Sequence, residues 1–212
     1  LMQACEHGGA MVSLAASEGD VQAELDQEAG RMSIAGLNGP MQTVISGDED
    51  AVSRVARKLE ERGVKTTRLT VSHAFHSPHM DSMLDAFREV VASCVLREPQ
   101  LPIVSNVTGK YVQGGQMTDP EYWVRQVRSA VRFTDGMQTL SSDGVTAFVE
   151  LGPRGVLCAM GASCLSDDPA ATFIPSIRKG RDELTTLSQA LGQVHLVGHR
   201  VDWLSFFETD YR

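Results

Sequence analysis

Met32-Ser33-Ile34-Ala35-Gly36-Leu37-Asn38-Gly39-Pro40-Met41-Gln42-Thr43-Val44-Ile45-Ser46 is the stretch that decides the fold. Residues 32–35 read as a strand, Asn38-Gly39-Pro40 is a strong turn signal, and residues 41–46 read as a second strand, so the pair predicts a hairpin. Working outward, residues 11–16 alternate with Val12, Leu14 and Ala16 on one face. Residues 20–28 carry Val21 and Leu25 at helical spacing, and Gly30 closes that helix. Residues 48–62 form an amphipathic helix with Ala51, Val52, Val55, Ala56 and Leu59 on one face and Gly63 as its stop. Residues 65–71 alternate again, with Thr67, Leu69 and Val71 together. The order β-α-β-β-α-β is the ferredoxin-like split unit, so residues 10–71 are expected to form a small α+β subdomain.

Ser77-Pro78 opens the next helix, the serine as cap and the proline at the first helical position, where its missing N–H costs nothing. Met80, Met83, Leu84, Phe87, Val90, Val91 and Cys94 form its apolar stripe. Residues 102–105 read as a buried strand. Asp119-Pro120 starts a helix through Trp123 and Val124, and Phe133, Met137 and Leu140 mark a further short one. Residues 145–151 and 172–175 read as strands, residues 156–165 as a short apolar helix, and Leu184, Leu187, Leu191 and Val194 mark the last helix. This alternation predicts a parallel α/β layer. The first residues read as a helix already under way, as in a chain cut from something longer.

The composition is that of a globular protein: 42% hydrophobic and 22% charged over 212 residues. A net charge of −8, with no basic cluster, argues against a nucleic-acid partner. No apolar run approaches a membrane span, and residues 1–7 do not read as a secretory signal. Cys5, Cys94, Cys158 and Cys164 lack CxxC spacing and are expected to be reduced thiols packed as small hydrophobes, which suits the cytoplasm.

The chemistry-bearing segment is Val71-Ser72-His73-Ala74-Phe75-His76-Ser77-Pro78-His79-Met80. Three histidines spaced three apart allow a metal site. They also allow plain packing at a strand-to-helix turn. A third reading makes His76 a general base, kept neutral by the positive end of the helix that follows. A helix start inside the cluster argues against convergence of the three rings, and Asp81 reads as a first-turn acid rather than a fourth ligand.

His73-Ala74-Phe75-His76 followed by Ser77-Pro78-His79-Met80 resembles the specificity-and-base motif of acyltransferase domains of type I modular polyketide synthases, in the malonyl-CoA:acyl-carrier-protein transacylase family. Asn38-Gly39-Pro40 with Val44-Ile45-Ser46-Gly47, Ser105-Asn106-Val107-Thr108-Gly109, Tyr122-Trp123-Val124-Arg125-Gln126 with Val131-Arg132-Phe133, Phe148-Val149-Glu150-Leu151-Gly152-Pro153 and Val201-Asp202-Trp203 resemble family segments in the same order. The resemblance implies an α/β fold: part of an α/β-hydrolase-like large subdomain with the ferredoxin-like one inserted. Residues 1–9 would end a large-subdomain helix, residues 72–198 would form the rest of that subdomain, and residues 199–212 would begin the linker after it.

The resemblance further implies a serine–histidine pair that takes a malonyl unit from malonyl-CoA and passes it to the phosphopantetheine thiol of an acyl carrier protein. No bound cofactor is implied; acyl-CoA and phosphopantetheine are substrates. Partners would be the carrier protein and a neighbouring ketosynthase with its linkers, with no nucleic acid and no membrane. His76 would be the base, the backbone carbonyl of Gln126 would orient it, and His73 and Phe75 would set substrate choice, because HAFH resembles the malonyl-selective type. The sequence departs from the family in having no Gly-x-Ser-x-Gly elbow; Gly161-Ala162-Ser163-Cys164-Leu165 comes too late and lacks the second glycine. The chain is therefore expected to be the C-terminal two-thirds of a domain, inactive alone. A free-standing malonyl transacylase of fatty acid synthesis and a non-catalytic scaffold or docking fragment are the alternative functions.

Overall fold

The computed structural model describes residues 1–208. Residues 209–212, the end of the expected linker, lie outside the described residues. The chain divides into two compact units, Leu1–Leu140 and Ser141–Arg212.

The first unit is built on strands β1 (Gly9–Leu14), β2 (Met32–Gly39), β3 (Gln42–Asp48) and β4 (Thr66–Arg68), with helices α1 (Glu18–Leu25) and α2 (Glu49–Glu61). The sheet order is β2-β3-β1-β4 and every neighbouring pair is antiparallel, which is the ferredoxin-like arrangement expected from the hairpin outward. Gly39 pairs with Gln42, so Pro40 and Met41 form the two-residue turn. Ser17 caps α1, accepting from the Asp20 N–H.

Strand periodicity sends alternate residues to opposite faces, and here both faces are buried. Ala10, Val12, Leu14 and Ile45 pack with Val21, Leu25 and the predicted α2 face of Ala51, Val52, Val55, Ala56 and Leu59. Met11, Ala35 and Val44 point the other way and receive Leu69 and Phe75. That second core ties the histidine segment to the sheet.

Several expectations change. The last strand stops at Arg68 and Val71 is exposed, because β4 is an edge paired, among the described residues, with β1 alone. The helix after Ser77 begins as a 3-10 turn, Pro78–Met83, and only then becomes α3 (Leu84–Ala92). Met80, Met83 and Val91 are buried, whereas Val90 and Cys94 are exposed. Residues 102–105 make a single bridge, Val104 to Tyr111, and no strand. Leu1 caps a three-residue 3-10 turn, Met2–Ala4, rather than lying in a continuing helix.

Helix α4 (Pro120–Arg128) starts as expected, with the Asp119 carboxylate accepting the Glu121 N–H, and α5 (Phe133–Ser142) follows. Between them Val131 extends the sheet: its N–H donates to the Ala35 carbonyl at 2.9 Å and its carbonyl accepts from the Leu37 N–H at 2.8 Å. The second unit contains β5 (Ala147–Glu150), α6 (Val156–Cys164), β6 (Thr172–Pro175), α7 (Glu183–Leu196) and α8 (Trp203–Glu208). The expected parallel layer here is the pair β5–β6, with Phe148 and Phe173 stacked at 5.0 Å. No described helix is long and apolar enough to cross a membrane.

Candidate functional site

After β4 the chain leaves the sheet, with one last sheet-like bond from the Leu69 N–H to the Met11 carbonyl. It then turns through residues 71–77 before the 3-10 helix. Ser77 is wholly buried and holds this turn from inside. Its hydroxyl donates to the Ala74 carbonyl at 2.6 Å and accepts the His79 N–H at 3.2 Å. Ser77 thus caps the helix and Pro78 opens it, as the sequence predicts.

His76, one residue earlier, is the only non-glycine described residue with positive φ, at 58°. A non-glycine residue in that region costs on the order of 1–3 kcal/mol and persists only where its surroundings over-determine it. The bend sets the half-buried imidazole beside the carboxyl end of α4, near the backbone carbonyls of Ser129, Gln126 and Val127. Burial pushes the His76 pKa below the ordinary imidazole value; the three carbonyls favour the cation but do not outweigh it. Desolvation is the largest cause of this lowering, and the helix that follows opens as a 3-10 turn before it becomes α3. His76 Nδ1 is buried and has no hydrogen-bond partner of ordinary geometry. Gln126, singled out from the sequence, therefore offers one of three nearby carbonyls, and the other two carried no sequence signal.

His73 is 2% exposed, and neither ring nitrogen has a partner. Its ring lies 4.9 Å from that of His7 and 6.1 Å from that of Phe75. Phe75 is part-buried and touches both the Met11–Ala35–Val44 core and the Cys5–Met80–Met83 cluster. Its ring therefore has a packing role whatever it does for a substrate. His79 faces elsewhere: its Nε2 lies 2.8 Å from Asp48 Oδ1, and its Nδ1 is buried without a partner. Among the described residues no three His, Cys, Asp or Glu side chains converge as metal ligands would. The sequence marks Asp48 only as a helix start. Gly9, whose missing side chain leaves room for Ala74 and His79, and His7 carry no sequence signal, since each acts across long separations.

In the second unit, Ser163 lies within α6 and its hydroxyl donates back to the Ala159 carbonyl at 3.2 Å, a bond within its own helix that leaves no exposed elbow. The Glu150 carboxylate accepts the Val156 and Cys158 N–H groups at 3.1 and 2.7 Å, satisfying the start of α6.

Residues 1–201 match the family described as "Acyl transferase domain". The chain is 46% identical over 210 residues to polyketide synthase GfsA of Streptomyces halstedii, covering 98% of this chain and 3% of that protein. It superposes on the acyltransferase domain from the second module of the salinomycin polyketide synthase with TM-score 0.92 and 48% identity, covering 97% of this chain and 48% of that one. It also resembles malonyl-CoA:acyl carrier protein transacylase from Xanthomonas oryzae, at 31% identity and TM-score 0.76, over 88% of this chain and 59% of that one. The chain thus spans about half of the solved salinomycin domain and a small fraction of the synthase. A bent, desolvated histidine behind a ferredoxin-like module, in a chain so matched, places this protein in the acyl transferase domain family, among its polyketide synthase members.

Proposed function

We propose that this chain supplies the histidine of a serine–histidine acyltransferase that loads malonyl units onto an acyl carrier protein in a polyketide synthase. The observation that carries the reading is His76 itself: a desolvated imidazole, neutral near pH 7, in a strained backbone conformation. Neutral imidazole can take the proton of a serine hydroxyl as that oxygen attacks the thioester of malonyl-CoA. The coenzyme A thiolate leaves and receives the proton from His76. In the second half His76 takes the proton of the carrier's phosphopantetheine thiol, the thiolate attacks the serine ester, and the serine oxygen recovers the proton. The carbonyls of Ser129, Gln126 and Val127 support this role, because partial negative charge beside the ring steadies the imidazolium formed in each half. His73 and Phe75 would select malonyl over its α-methyl homologue, Phe75 by occupying the volume the methyl needs.

The sequence holds no Gly-x-Ser-x-Gly, so the 212 residues alone are expected to form no acyl-enzyme. Intact-mass measurement after incubation with malonyl-CoA tests this. The chain by itself should remain unmodified, and a polypeptide that also carries the serine segment should gain one malonyl group. In that longer polypeptide His76→Ala should slow acylation on the order of 10²–10⁴-fold. A stable malonyl adduct on the 212-residue chain, or an unaffected His76→Ala, would overturn the assignment.

A further inference from the structure

The bend at His76 is held locally by the Ser77 hydroxyl, which joins Ala74 to His79 across it. The Phe75 N–H to His73 carbonyl bond at 3.1 Å and the Met80 N–H to Ser77 carbonyl bond at 3.0 Å add to this. The small sheet offers a second brace. His79, three residues on, has its side chain 9% exposed, with Nε2 2.8 Å from Asp48 Oδ1 and Nδ1 unpaired. A carboxylate only accepts, so Nε2 carries the hydrogen and the ring tautomer is set by Asp48. Asp48 ends β3, and its second oxygen accepts from Arg31 Nε at 3.0 Å. Arg31 is itself held by Asp50 at 2.6 Å and by Glu28 at 3.4 Å. Opposite Asp48 in the register stands Gly9. A Cβ there would fall 2.5 Å from Ala74 Cβ and 3.1 Å from His79 Cε1, so the missing side chain is what lets the histidine segment close on the sheet.

We infer that Asp48 and His79 are positioning residues for His76: Asp48, clamped by Arg31 at the end of β3, fixes the His79 ring and through it the bent peptide that aims His76 at the carboxyl end of α4. The pair joins residues 31 positions apart across two elements, so it transmits the placement of the ferredoxin-like module to the base. Neither residue touches the reacting atoms. The inference rests on His76 being the base, but its test reads the His76 ring without turnover. Failure of the base assignment would appear in the acylation assay instead.

The experiment is an NMR titration of the His76 ring nitrogens in the full chain, with thermal unfolding measured in parallel, for wild type, His79→Leu, His79→Gln and Asp48→Ala. His79→Leu keeps the volume and removes the bond. It should shift the His76 midpoint upward, toward the free value of about 6.5, as the bend relaxes and the ring gains water. His79→Gln places an amide N–H where Nε2 stood and should restore the wild-type midpoint. Asp48→Ala should also shift it upward, although loss of a nearby negative charge alone would shift it down. A clasp that only adds stability would lower the melting temperature and leave the His76 midpoint in place; that result in His79→Leu overturns the inference. If His79→Leu does not fold, Asp48→Ala decides, since Asp48 is over a third exposed: an unchanged or lowered midpoint there overturns it as well.

Discussion

Val131 sits opposite Gly36 as a parallel bridge on the outer edge of β2, 95 residues away in sequence. This contact covers an otherwise open sheet edge. It also ties the sheet to the segment just after α4, whose last carbonyls face His76. Thr134 Oγ1 strengthens the tie by donating to the Leu37 carbonyl at 3.0 Å.

Val131→Pro removes the N–H that bonds Ala35 and should destabilise the chain by about 1–3 kcal/mol, the effect of leaving a carbonyl without its donor. Urea unfolding followed by circular dichroism measures it. An unchanged midpoint would mean that the edge contact contributes nothing.

Gly9→Ala puts a methyl into the space taken by Ala74 and His79. Overpacking of this kind costs about 1–3 kcal/mol. The loss should be accompanied by changed amide shifts across residues 73–79, because the backbone there must give way. Gly19→Ala, where nothing lies within 4 Å of the added carbon, is the control and should be near neutral.

The His76 pKa is lowered in the folded chain by burial. Between the folded value and about 6.5 the unfolded chain holds a proton that the folded chain does not, so stability rises with pH through that window. The stability is complete above about 6.5 and is lost as pH falls through the folded value. His76→Gln should flatten this part of a stability-versus-pH curve. In a polypeptide carrying the serine, acylation should likewise persist below pH 6.5, as far as the folded His76 value.

Glu24 is buried in α1 and meets Lys58 Nζ at 2.5 Å and Arg62 Nη1 at 2.6 Å. The Lys58 hydrogen bond lowers its pKa most; burial opposes this and Arg62 adds to it. Its contribution is therefore present above the ordinary carboxylate value of about 4.5 and disappears as pH falls through the depressed one. Acid unfolding of Glu24→Gln should lose that portion of the transition, whereas a curve parallel to wild type would show that Glu24 is not its source.

Phe75→Ser combined with His73→Tyr, in a polypeptide carrying the serine, should raise methylmalonyl relative to malonyl transfer. One methyl group is worth about 1–3 kcal/mol, so a shift of roughly 10–200-fold in the ratio of specificity constants is expected. Competition between the two thioesters measures it, and an unchanged ratio would leave Phe75 with its packing role alone. Because Phe75 touches two apolar clusters, some loss of stability should accompany the change.

What the sequence by itself determined was the set of local elements: the β2–β3 hairpin, though its turn lies at Pro40-Met41 rather than Asn38–Pro40, the buried face of α2, the Ser77-Pro78 and Asp119-Pro120 helix starts and the ferredoxin-like order. These depend on propensity, capping and periodicity, all settled within a few residues. It also singled out His76, through the motif around it. Only the tertiary structure decided how His76 is held. Its desolvation at the end of α4, the His79–Asp48 bond and the Gly9 clearance each depend on partners tens of residues away. The same reason explains where local pattern and structure differ. Residues 69–71 and 102–105 alternate or cluster as strands do, but a strand needs a neighbour to bond with: the first segment has only the Leu69 N–H to Met11 carbonyl bond, and the second pairs only with the short return at Lys110–Val112.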